Sequence, residues 1–127
     1  MIVSVGADIV KVKRIKEVLF RRAERFKKKI LSKEELQEMP ESREIEYVAK
    51  RFAAKEAISK VLGTGIAFGV KFTDIIIRSD KKSGAPRVVL EGEAKKKAAS
   101  LGIQRILISI SDEKEYALAF AIGVASR

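Results

Sequence analysis

Along the first ten residues the side chains alternate. Val3, Val5, Ala7 and Ile9 fall on one face of an extended chain and Ile2, Ser4, Gly6, Asp8 and Val10 on the other, the period of two that a strand imposes. From Lys11 to Ile30 the apolar positions (Ile15, Val18, Leu19, Phe26, Ile30) are spaced for one side of a helix, continuous or broken near its middle. Ser32-Lys33-Glu34-Glu35 reads as a capping box that opens a short helix ending before Pro40. Residues 43–62 form a longer central helix, stopped by Gly63-Thr64-Gly65. Strand patterns then recur at Thr73–Arg78 and Arg87–Leu90, joined through the turn-rich Lys82–Pro86. A Lys-rich helix over Glu91–Ser100 ends at Gly102, and a second hairpin, Arg105–Ser111 with Tyr116–Val124, puts Leu107, Ser109 and Ser111 on one face. The pattern predicts a single α+β domain over residues 1–127, with a long central helix and shorter helices packed on one side of an antiparallel sheet.

The central helix carries an anomaly. At about 100° per residue, the stripe through Ile45, Val48, Ala49 and Phe52 continues through Glu56 and Ser59. An ionised carboxylate aimed at a core is costly without a compensating cation or donors. Glu56 therefore either closes an ion pair with Lys55 or Lys60, or helps hold a ligand with Lys60 one turn on. Ile58 and Val61 make the helix apolar on a second side, which suggests burial between the sheet and something else, such as another subunit. Asp8 ends the first strand beside Gly6; it caps the next helix, or the small neighbour leaves room for a ligand beside the carboxylate.

Composition narrows the chemistry. Neither cysteine nor histidine occurs, so sulfur ligands, thiolate nucleophiles and imidazole bases are excluded, and a carboxylate site favours a hard cation such as Mg²⁺. The chain has no basic segment ahead of its first apolar run and no apolar stretch long enough to cross a bilayer, so a cytoplasmic protein without a membrane partner is expected. The formal charge is +10, which attracts polyanions. On charge alone a nucleic-acid-binding module is the rival reading. Against it, aromatics are only 6% and the phenylalanines are scattered, unlike a stacking platform for single strands. Ten cations around the first helix, Arg14 and Arg22 among them, face only Glu17 and Glu24, as a docking surface for an acidic protein would.

Asp8, Glu56, Lys60 and a glycine-rich turn together suit a Mg²⁺–phosphate site: carboxylates for the metal, an ammonium for the remaining phosphate charge. The two segments VGADIV (Val5–Val10) and RFAAKEAISKVLGTGI (Arg51–Ile66) resemble the signature motifs of the phosphopantetheinyl transferases, in particular the small holo-acyl-carrier-protein synthase type, and TDIIIRSDKKSGAP and SISDEKEYALAFA extend the likeness over nearly the whole chain. The resemblance implies a Mg²⁺-dependent enzyme that moves the phosphopantetheine arm of coenzyme A onto a serine of apo-acyl carrier protein, in support of fatty acid biosynthesis. It implies Asp8 and Glu56 as metal ligands, Lys60 as a catalytic and phosphate-contacting residue, Arg51, Gly63 and Gly65 as further coenzyme contacts, and Arg14 and Arg22 as carrier-protein contacts. A homotrimer with active sites between subunits is implied too, and no nucleic acid partner. Many relatives carry histidines where this chain has Leu107 and Asp112; Ser109, Ser111 or a nearby lysine would then take over their coenzyme contacts, or the chain would bind coenzyme without turnover. Val10 stands where larger relatives have a further acidic residue, leaving two carboxylate ligands.

Overall fold

The computed structural model describes residues 1–126. Strand β1 (Ile2–Lys11) turns Gly6 and Val10 inward, with Asp8 half-buried between them, and leaves Val3, Val5, Ala7 and Ile9 on the outside. Helix α1 (Val12–Ile30) follows directly. It buries Ile15, Leu19 and Ile30 and breaks at Arg22, whose φ of −144° and ψ of 49° are not helical. The capping box is present: Ser32 Oγ accepts the Glu35 N–H and Glu35 Oε1 accepts the Ser32 N–H, opening α2 (Lys33–Glu38). Helix α3 (Glu44–Val61) crosses the core, and after a short 3-10 turn at Phe72–Asp74 come β2 (Ile75–Ser79), β3 (Pro86–Leu90), α4 (Gly92–Ser100), β4 (Arg105–Asp112) and β5 (Tyr116–Val124).

All strand pairing is antiparallel. The main sheet runs β1-β5-β4, while β2 and β3 form a hairpin sheet of their own. The expected strand over Thr73–Arg78 starts only at Ile75. Thr73 and Asp74 are spent in the 3-10 turn, where the Asp74 N–H bonds Lys71 O and Asp74 O accepts from the Glu91 N–H.

Alanine lets α3 lie close on the sheet. Ala49, Ala53 and Ala57 of the helix and Ala117, Ala119 and Ala121 of β5 are all fully buried. At Gly6 a Cβ would sit 2.2 Å from Ala57 O and 2.9 Å from Lys60 Cβ. Of the two readings open for Asp8, the one in which Gly6 leaves room for a ligand does not hold: α3 itself fills that space, and glycine is needed there for helix–strand contact. The second apolar side of α3 is also covered within the chain, by α1 and β2. Two-sided burial of this helix is therefore no argument for a second subunit. Fully buried Leu31, Ile58, Leu62, Ile75 and Ile77 join the same core, each contributing about 2 kcal/mol of apolar burial.

Candidate active site

The edge of the main sheet at β1 meets the C-terminal half of α3. Ser4 Oγ donates to Val61 O at 2.6 Å, fastening the helix end to the strand. One residue earlier, Lys60 Nζ donates to Ala7 O at 2.8 Å and lies 3.3 Å from Asp8 Oδ1. The Lys60 side chain is 51% exposed and that of Asp8 18%, so solvent reaches the pair. Glu56 stands one helical turn before Lys60 on the same side. Burial pushes its carboxyl above the usual range, the Asp8 charge pushes it further, and Lys60 opposes both. Its carboxylate accepts no hydrogen bond from the described residues. Of the alternatives open for Glu56, a pair with Lys55 is excluded, since Lys55 points elsewhere, and Lys60 hydrogen-bonds Asp8 instead.

Two neighbouring carboxylates, with Glu56 held above its usual range by burial and by the Asp8 charge and with free oxygen lone pairs, are the donor set a hard divalent cation takes up, and such a cation would relieve their repulsion. Among the described residues no group of three or more acidic side chains could hold a metal. Val10, in the third position, is buried. Any cation here would complete its shell with water or substrate oxygen.

The glycine-rich turn closes α3. Gly63 and Gly65 have φ of +77° and +64°, where other residues are strained. Their N–H groups bond Lys60 O and Ser59 O, so they cap the helix and are not free for a phosphate. A Cβ at either glycine would meet nothing within 4 Å; the turn is open to a ligand on its outer side.

Over residues 4–121 the chain matches the family model of the 4'-phosphopantetheinyl transferase superfamily. It belongs to that superfamily. The holo-[acyl-carrier-protein] synthase of Vibrio cholerae serotype O1 (strain M66-2) is 46% identical over 123 residues, covering 96% of this chain and 97% of the relative. The crystal structure of the Neisseria meningitidis holo-[acyl-carrier-protein] synthase superposes with a TM-score of 0.90 at 40% identity, covering 98% of this chain and 99% of that one. The Helicobacter pylori enzyme of the same name, solved in complex with coenzyme A, gives a TM-score of 0.83 at 32% identity over 94% of this chain and 99% of its own.

In this superfamily member not every residue expected at the site is there. Arg51 is only 7% exposed and its guanidinium is spent inside: it stacks 4.0 Å over the Tyr47 ring, donates from Nη2 to Ile77 O at 3.4 Å and lies 3.9 Å from Glu35 Oε2. A coenzyme-contacting role does not fit that placement; the arginine is a core residue. Ser109 pairs with Phe120, which in turn pairs with Ala7, whereas Asp8 shares its row with Ala119 and Ile110. Ser109 thus lies on the opposite face of the sheet from Asp8. Arg14 and Arg22 are both exposed on α1. Two residues that the sequence pattern does not single out for function are Phe20, also on α1 and 90% exposed, and Glu35, which is fully buried and receives Lys55. Phe20 lies outside the Ile15–Leu19 stripe, a signal that was available; nothing local marked Glu35 beyond its capping role.

Proposed function

We propose that the chain is a Mg²⁺-dependent holo-acyl-carrier-protein synthase: it transfers the phosphopantetheine group of coenzyme A to a serine hydroxyl of apo-acyl carrier protein and releases adenosine bisphosphate, in the cytoplasm, in support of fatty acid biosynthesis. The observation that carries this reading is the meeting of Asp8, Glu56 and Lys60 at one solvent-reached edge, in a chain that is 46% identical to a holo-[acyl-carrier-protein] synthase. In the reaction the serine oxygen bonds to the pyrophosphate phosphorus that carries the pantetheine arm, the bond to the bridging oxygen breaks, and the serine proton leaves. Asp8 and Glu56 would hold Mg²⁺, which when bound neutralises pyrophosphate charge. Lys60, anchored on Ala7 O, brings an ammonium to the developing negative charge. With no histidine in the chain, Lys60, or a water held beside it, is the group placed to help take the serine proton.

The outer face of the main sheet supports a homotrimer as its assembly. Val3, Val5, Ile9, Leu107, Leu118 and Phe120 are all exposed on it, a contiguous apolar surface of the kind that marks association. On this reading Ser109 reaches coenzyme only from a neighbouring subunit. Arg14 and Arg22, both exposed on α1, form the face for the acidic carrier protein. The activity is tested by incubating the protein with apo-acyl carrier protein, coenzyme A and Mg²⁺ and weighing the carrier. A mass gain equal to the arm is expected; none, where a known synthase succeeds, sinks the proposal.

A further inference from the structure

Lys55 is fully buried and ends among three oxygens: Ile30 O at the end of α1, Phe72 O in the 3-10 turn, and Glu35 Oε1, at 2.5, 3.1 and 2.5 Å. Glu35, equally buried, holds the Ser32 N–H on the same oxygen and the Ile77 N–H of β2 on the other, at 3.0 Å. One ion pair thus joins α1, α2, α3, the 3-10 turn and β2. On the sheet side α3 is tied to β1 at its C-terminal end, through Ser4 Oγ on Val61 O and Lys60 on Ala7 O, while along its middle alanine faces alanine and glycine and supplies no polar contact that would set its rotation. The best-attested use of a buried polar pair is to select one register. Neighbouring residues of a helix point about 100° apart, so the direction of Lys55 fixes that of Glu56, and Lys60 lies one turn beyond.

We infer that the Lys55–Glu35 pair is a positioning device: it sets the register of α3 so that Glu56 and Lys60 meet Asp8, and neither Lys55 nor Glu35 touches substrate. The inference rests on the reading of Asp8 and Glu56 as metal ligands. Its probe is Mn²⁺, followed by electron paramagnetic resonance without substrates, alongside carrier modification. Lys55→Met removes the cation at nearly constant length; Glu35→Gln is milder, because it keeps a carbonyl for the ammonium. Each is assayed at a temperature where circular dichroism finds it folded. Mn²⁺ affinity per folded molecule is expected to fall about tenfold or more, the scale on which supporting partners tune metal sites. Turnover should fall with it while KM for the carrier, which contacts α1, stays put. A pair that only stabilises the fold would lower the unfolding temperature and leave Mn²⁺ affinity and turnover per folded molecule at wild-type values; that result overturns the inference. If Lys55→Met yields no folded protein, Glu35→Gln decides on the same readouts. Wild-type protein that binds Mn²⁺ yet leaves the carrier unmodified would defeat the transferase reading instead, and the Mn²⁺ comparison would still judge the positioning role.

Discussion

Two ionic clusters flank α3, built from the same residue types and only one position apart. Lys55 looks into the core, where three oxygens close around it and Glu35 spends both carboxylate oxygens on the lysine, two backbone N–H groups and a nearby arginine. Glu56 looks to the rim, where its carboxylate accepts nothing from the described residues and Asp8 has a single long bond from Lys60. A charge inside a saturated cage costs much to remove and has nothing left to offer a ligand. A charge left half-satisfied next to a like charge is held at some cost to the fold, and a cation would reward it. Saturation, more than burial, separates the structural cluster from the chemical one.

The comparison breaks most visibly at its two ends. Glu56→Ala should cut turnover on the order of 10³-fold, as loss of a group that stabilises transition-state charge does, with no loss in unfolding temperature. Steady-state kinetics beside thermal unfolding measure both. Lys55→Met should behave oppositely in stability, losing about 3–5 kcal/mol because the Glu35 charge is left buried without its partner, read from urea denaturation at constant slope. Were Glu56→Ala to unfold the protein as readily as Lys55→Met, the division between the clusters would fail.

A smaller effect belongs to the docking face. Arg14 is exposed on α1 and takes part in no ion pair among the described residues, so its charge is available to a partner. Arg14→Glu should raise KM for the acyl carrier protein about tenfold, near 1.4 kcal/mol, and the gap should narrow as salt screens the contact. Coenzyme A affinity, measured by calorimetry, should not move; equal losses for both ligands would detach α1 from carrier recognition.

Residue type and spacing single out Asp8 and Glu56 in the sequence but blur the helix between the clusters. Periodicity located β1, both long helices and the capping box, because each rests on local spacing or local bonding. It put Glu56 on the inner stripe and left Lys55 as an ordinary partner for it, when Lys55 is the more deeply buried of the two. The error is physical: a lysine stem is apolar, and its ammonium can be buried wherever carbonyls converge, which no helical wheel registers. The oxygens that hold it come from Ile30, Glu35 and Phe72, far apart in the chain. Arg51 misled for a related reason. Its place in a motif says that it matters, but only the packing of Tyr47, Ile77 and Glu35 around it shows that it acts in the core. The choice left open at Gly6 is settled only by packing, since the space it leaves is measured against α3 and cannot be seen along the strand.

The gentlest test of the comparison is pH. Burial first, and then Asp8, raise the Glu56 carboxyl above its ordinary value, with Lys60 pulling it back. Below the unfolded pKa of a glutamate the group is protonated in both states and costs the fold nothing. As pH rises through the elevated folded value, the folded protein is penalised for ionising it and stability is lost. Glu56→Gln cannot ionise, so without divalent metal it should unfold at a higher temperature than wild type at neutral pH, with the gap closing toward pH 4. The difference should be the smallest of these effects, because solvent still screens part of the site. Adding Mg²⁺ should raise the unfolding temperature of wild type by linkage and leave Glu56→Gln nearly unmoved. Matching melting curves for the two proteins at every pH, with and without metal, would mean that the rim carboxylate is as settled as Glu35, and the two clusters would then differ only in depth.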